Sequence, residues 1–150
     1  MRMDIQLMDW ESARVEASPI RFAVFVAEQG VPAEIELDEH DAHCIHAIAR
    51  DAQGHAVGTA RLLPAEPAPG GPIGHIGRMA VLASHRGQGV GAALLGALIA
   101  AARERGDIAV ALSAQTHALE FYRRFSFMEE GPQYMEAGIP HQAMRLVLRA

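Results

Sequence analysis

Apolar residues recur at helical spacing over Ile20, Ala23, Val24 and Ala27, which predicts a helix with one buried face. Ser18 can cap such a helix, Pro19 suits its first turn, and Gly30 ends it after Gln29. The period then shortens. Cys44–Arg50 and His55–Leu63 are apolar runs of strand length, and Asp51-Ala52-Gln53-Gly54 between them supplies the turn of a hairpin. The Pro/Ala/Gly-rich stretch Pro64–Pro72 is a loop, and Ile73–Leu82 predicts a third strand that completes an antiparallel meander. Gly89–Arg105 is a long Ala/Leu-rich helix stopped by Gly106, with Arg103 and Arg105 in its last turn, where cations suit the helix dipole. Ile108–Ser113 reads as a buried strand, His117–Arg124 as a short helix, and Phe127–Leu148 as two strands joined around Gly138-Ile139-Pro140. This order fits a mixed α/β (α+β) sheet with helices packed on it.

Composition narrows the class. The chain has 150 residues, half of them apolar and 21% charged, and no shift in composition marks a linker, so residues 1–150 are read as a single globular domain. A net charge of −5 argues against a general grip on nucleic acid. The single cysteine, Cys44, builds neither an internal disulfide nor a cysteine zinc site. The N-terminus lacks the apolar core of a secretory signal, and the longest apolar run, Val90–Ala102, falls short of the roughly 20 residues a membrane span needs. A cytoplasmic protein with no membrane association is expected.

The run Arg86-Gly87-Gln88-Gly89-Val90-Gly91-Ala92 carries the clearest chemistry. A glycine turn opening a helix presents free backbone N–H groups and the positive end of the dipole, which together bind phosphate oxygens. A P-loop is excluded, because it needs a lysine and the chain contains none. Gly87, Gly89 and Ala92 satisfy a dinucleotide fingerprint literally, but the acidic residue at the right separation, Asp107, precedes the next strand instead of ending it.

The larger pattern, Arg86-x-x-Gly89-x-Gly91 after the lead-in Arg78-Met79-Ala80-Val81, resembles the acyl-CoA pyrophosphate turn of the GNAT superfamily of N-acetyltransferases. Ala118–Phe127 is similar to that family's Ala-x-x-Phe-Tyr-x-x-x-Gly-Phe segment, with Ser126 in place of the glycine. If that position is left-handed, serine costs about 1 kcal/mol there. Val24–Pro32 and Ala137–His141 resemble a small ElaA-like branch. The resemblance implies a mostly antiparallel central sheet flanked by helices on both faces, and an acyltransferase that uses acetyl-CoA as co-substrate and no metal. It implies that Met79, Ala80 and Val81 bind the pantetheine arm like an added strand, and that Arg86, Gly87, Gln88, Gly89, Val90, Gly91 and Ala92 hold the pyrophosphate. It implies that Tyr122 is the general acid, a phenol that keeps its proton at neutral pH. Adjacent helix residues point about 100° apart, so Phe121 is read as core and Tyr122 as cleft-facing.

For the general base, His75 on the strand before the glycine turn is the first candidate, with Glu28, Glu34 and His141 as alternatives. The acidic run Glu34, Glu36, Asp38, Glu39 and Asp41 could attract a cationic amine, and Asp38, His40, Asp41 and His43, metal-like in type, read as a solvated loop. Gln115 reads as a helix N-terminal residue, with a polar cleft residue as the alternative. The expected acceptor is a small-molecule or peptide amine, and exposed C-terminal strands could pair in a homodimer. A non-catalytic acyl-CoA-binding module on the same fold is the rival reading.

Overall fold

The computed structural model describes residues 3–149. Its strands are β1 (Asp4–Met8), β2 (Ile45–Arg50), β3 (Ala56–Leu62), β4 (Ile73–Val81), β5 (Ala109–Gln115), β6 (Met128–Glu136) and β7 (Ile139–Val147). They form one sheet in the order β1-β2-β3-β4-β5-β7-β6. Each neighbouring pair is antiparallel except β4 and β5, which run parallel. The helices are α1 (Trp10–Arg21), α2 (Ala33–Glu36), α3 (Val90–Arg105) and α4 (Leu119–Arg123). This is the mixed, mostly antiparallel architecture expected from the sequence.

Helices cover both faces. Along β2, Ala47 and Ala49 pack into the core that contains Leu94, Leu95 and Leu98 of α3, while Ile48 between them packs with Ala13 and Ala17 of α1. Successive strand residues point to opposite faces, so a strand buried on both sides reads as one continuous apolar run. Helix α3 lies very close to β3: a Cβ on Gly58 would stand 2.8 Å from Val90 Cγ1 and 3.0 Å from Leu94 Cδ1.

The N-terminal region departs from the expectation. Helix α1 starts at Trp10, with the Asp9 carboxylate accepting the Ser12 N–H at 3.0 Å as its cap. Pro19 therefore lies inside the helix, where its missing N–H deprives the exposed Val15 of a carbonyl partner. The chain then widens into a π-helical turn, Phe22–Glu28, in which the Gln29 N–H reaches back five residues to the Val24 carbonyl at 3.2 Å. Gly30, at φ +73°, ends it. The small buried residues Ala13 and Ala17 carry the core face of α1, a weak apolar signal that let Ser18-Pro19 pass for a helix start. Strand β1, which lies outside the predicted elements, pairs antiparallel with β2.

Elsewhere the differences are local. The acidic run forms α2 and a 3-10 turn, Glu39–His43. Helix α4 is shorter than the predicted His117–Arg124, because a 3-10 turn, Thr116–Ala118, precedes it. Strands β6 and β7 are joined by Ala137 (φ 51°) and Gly138 (φ 77°), the two left-handed residues of a tight hairpin, and Pro140 lies within β7. Among the described residues no helix is long and apolar enough to cross a membrane.

Candidate active site

The two parallel strands pair only from Ile73 opposite Ala109 to Ile76 opposite Leu112. Beyond that point β4 follows β3 while β5 follows β7 to Gln115, so the sheet splits. A β-bulge accompanies the split. Arg78 adopts φ 50°, and the β3–β4 register shifts between Thr59 and Arg61. The extra residue changes which side chains share a face. Ile76, Met79 and Val81 pack toward the α3 core, whereas Ala80 packs on the other side with Ile20 and Val24. A cavity of about 610 Å³ occupies the split, walled by Ile76–Val81 on one side and by Leu112, Ser113 and Gln115 on the other.

Of the residues expected to hold CoA, Met79, Ala80, Val81 and Arg86 line this cavity. Gly87, Gln88, Gly89, Val90, Gly91 and Ala92 follow Arg86 outside its lining and form the turn into α3. Gly87 and Gly89 have φ of 75° and 84°, conformations that need glycine. The first helical bond runs from the Ala93 N–H to the Gly89 carbonyl at 3.0 Å, which leaves the N–H groups of Val90, Gly91 and Ala92 without helical acceptors. Arg86 is engaged by Glu28 at the end of the π turn, through two bonds of 2.7 and 2.8 Å, and by the Val81 carbonyl at 3.0 Å. A CoA pyrophosphate at this turn must compete with Glu28 for the guanidinium.

Tyr122 and Phe121 both line the cavity and both pack against the main core, so the expected division between a core Phe121 and a cleft-facing Tyr122 is not seen. Phe121 stands edge-on to Tyr122 with ring centres 5.0 Å apart, and Phe127 closes on Tyr122 at 5.9 Å. Burial pushes the Tyr122 phenol up to about 12, because the phenolate would lose its water. His75 lies elsewhere. It sits in the paired stretch, opposite Ala111, before the strands part, and it is not in the cavity wall. Alternation along β4 turns it away from the face that Ile76 presents, so it is not placed to deprotonate a substrate in the split.

The far end of the cavity is polar. Gln29 and Gln115 exchange side-chain hydrogen bonds of 2.9 and 3.3 Å, and a ring nitrogen of His117 lies 2.7 Å from Gln115 Oε1. Gln115 is thus the last residue of β5 and a cavity residue, and it is also the N-cap position of the 3-10 turn Thr116–Ala118, as read from the sequence. His141 and Glu136 complete this end; Glu136 escaped notice in the sequence because only the β6–β7 hairpin brings it to the split. Of the other base alternatives, Glu28 is held by Arg86, and Glu34 is outside the lining.

The acidic run is only partly turned outward: Glu34 and Glu39 are exposed, whereas Glu36, Asp38 and Asp41 are ion-paired, and Glu36 also lines the cavity. Arg21, 1% exposed, bonds Glu36 at 2.7 and 2.9 Å and Asp41 at 2.8 and 3.1 Å. Arg61 bonds Asp38 at 2.7 and 2.8 Å and Asp41 at 2.9 Å. Arg78 reaches from the bulge to Asp38 at 3.1 Å and to the Ile35 and Glu36 carbonyls. Three guanidinium groups therefore neutralise three carboxylates; in the loop read as solvated, His40 and His43 are exposed while Asp38 and Asp41 belong to this ion-pair network. Its role is to anchor α2 to the bulged strand. Sequence alone gave little sign of it, since Arg21, Arg61 and Arg78 lie on separate elements.

Comparison with known proteins agrees with this geometry. The sequence profile of the acetyltransferase (GNAT) domain matches residues 13–148. The chain is 36% identical over 130 residues to YjcF of Bacillus subtilis, described as an uncharacterized N-acetyltransferase, covering 86% of this chain and 89% of that protein. Among solved structures, an acyl-CoA N-acyltransferase from Pseudomonas aeruginosa superposes with a TM-score of 0.82 at 31% identity, covering 99% of this chain and 100% of the other. ElaA of Escherichia coli superposes with a TM-score of 0.80 at 29% identity, covering 96% and 99%.

Proposed function

The chain belongs to the GNAT acetyltransferase family, and from that premise we propose that it transfers an acetyl group from acetyl-CoA to a primary amine by direct attack on the thioester. The observation that carries this reading is the split between β4 and β5 with the Tyr122 phenol inside it. After Ile76, β4 has no strand partner on its β5 side among the described residues, so that edge of Met79–Val81 is open to an extended arm, apart from the Val81 carbonyl that accepts from Arg86. Such an arm adds to a strand edge through main-chain hydrogen bonds, and an N–H there polarises the thioester carbonyl. The N–H groups of the glycine turn and the Arg86 side chain take the pyrophosphate.

The amine must reach the carbonyl carbon neutral. As the new C–N bond forms and the C–S bond breaks, the thiolate needs a proton, which Tyr122 donates. The raised value of the phenol does not disqualify it, since the same dry surroundings also destabilise the thiolate. A cytoplasmic location goes with this reading.

The test separates catalysis from mere binding. Mixing the protein with acetyl-CoA and a panel of primary amines releases free thiol and acetylated amine. Tyr122→Phe lowers kcat about 100-fold or more while the rise in Tm given by acetyl-CoA persists. A non-catalytic acyl-CoA-binding module gives the same Tm shift with no thiol release from the unaltered chain.

A further inference from the structure

His141 projects from β7 into the polar end of the cavity and is 7% exposed. Its Nδ1 lies 2.7 Å from the Ile139 carbonyl. A carbonyl only accepts, so Nδ1 carries the hydrogen and the neutral ring offers a lone pair at Nε2. That nitrogen stands 3.7 Å from Glu136 Oε2, beyond direct hydrogen-bonding distance. A neutral imidazole nitrogen and a carboxylate oxygen are both acceptors. Two acceptors facing each other across such a gap are complementary to a shared cationic donor. Tyr134, paired with His141 across the hairpin, stacks on the imidazole with ring centres 6.1 Å apart, and its hydroxyl bonds Ser113 Oγ. The ring is thus fixed by a carbonyl on one edge and an aromatic face on the other.

Resting on the acyltransferase reading above, we propose that Glu136 and His141 form the acceptor subsite: Glu136 docks the ammonium of a primary amine and His141 Nε2 removes its proton. One proton passes from the ammonium to Nε2 and on to solvent. The neutral nitrogen then attacks the thioester carbon. As the C–S bond breaks Tyr122 gives its proton to the thiolate, and the second proton, lost from nitrogen after the C–N bond forms, passes through solvent to restore the Tyr122 phenol. Other groups around the imidazole do not substitute. Tyr134 is engaged with Ser113, Gln115 opposite His141 is neutral, and His117 lies against Gln115. Glu136 is the charged partner, on the same hairpin.

Steady-state kinetics over a pH series, with acetyl-CoA and a panel of alkyl- and arylalkylamines, tests this. In His141→Gln, kcat/KM for the amine falls about 100-fold or more at neutral pH, and the loss shrinks as rising pH supplies free amine. The Tm shift with acetyl-CoA is unchanged in that variant. The half-exposed Glu136 gives a second variant that folding does not threaten. Glu136→Gln raises KM for the amine more than it lowers kcat. A parallel NMR titration follows the His141 ring as phenethylammonium is added, with no turnover required. If the unaltered chain turns over while His141→Gln stays within threefold of it with the same pH profile, the subsite is wrong and acyl transfer stands. If nothing turns over yet the ring signal responds to phenethylammonium and Glu136→Gln abolishes the response, docking stands and acyl transfer fails. Neither turnover nor response overturns both.

Discussion

Tyr122 holds its proton well past the pH at which a free phenol loses it, because burial penalises the phenolate. Removing it should therefore scale the rate without reshaping its pH dependence: Tyr122→Phe gives a kcat–pH profile parallel to the unaltered one up to about pH 10. A basic limb that vanishes in the variant contradicts this. Ser126 illustrates a cost legible in advance. Its φ of 71° places a side chain where glycine is the unstrained choice, as its departure from the family pattern implied. Ser126→Gly should stabilise the fold by about 1 kcal/mol in urea unfolding. Arg78 was not legible in this way. Its importance comes from a bulge and from carbonyls more than forty positions earlier in the chain, and neither leaves a local mark.

The glycine turn was readable because positive φ demands glycine and because α3 begins immediately after it, so residue type and position agreed. The π turn was not, since an apolar stretch such as Phe22–Glu28 is compatible with an ordinary helix. Its end bears on function through Glu28, which holds Arg86 in an exposed two-point ion pair. Arg86 keeps Glu28 below the usual carboxylate range, so the pair persists at neutral pH. Glu28→Gln should free the guanidinium and tighten acetyl-CoA binding about two- to fivefold by isothermal titration, with the gain shrinking as salt rises. Weaker binding in that variant would mean that Glu28 orients Arg86 for the pyrophosphate instead of competing with it.

The whole molecule depends on how the N-terminal elements are fastened to the split sheet. The strand order of the meander and the long α3 followed from hydrophobic period and turn residues, whereas the fastening is made of charges distant in sequence. Burial pushes Asp38 up, but hydrogen bonding to Arg61 and the charges of Arg61 and Arg78 outweigh it, so the carboxyl is lowered to about 2. A carboxyl lowered on folding contributes stability above its unfolded value near 4, and that contribution disappears as pH falls toward 2. Unfolding free energy should drop by about 2 kcal/mol less between pH 4 and pH 2 in Asp38→Asn than in the unaltered chain. An equal drop in both would show that Asp38 does not anchor the network. The same network joins α2 to the bulge that frees Met79, Ala80 and Val81, so the cavity and the ion pairs belong to one construction.

The central claim is that the gap between β4 and β5 hosts acetyl transfer to an amine. The most direct measurement is product formation by the purified chain given acetyl-CoA and a panel of primary amines, with thiol release and acetylated amine quantified together. The account predicts that the two rise one for one, with the rate lost in Tyr122→Phe while acetyl-CoA still raises the Tm. A folded protein whose Tm does not move in excess acetyl-CoA, and which forms neither product, would contradict it.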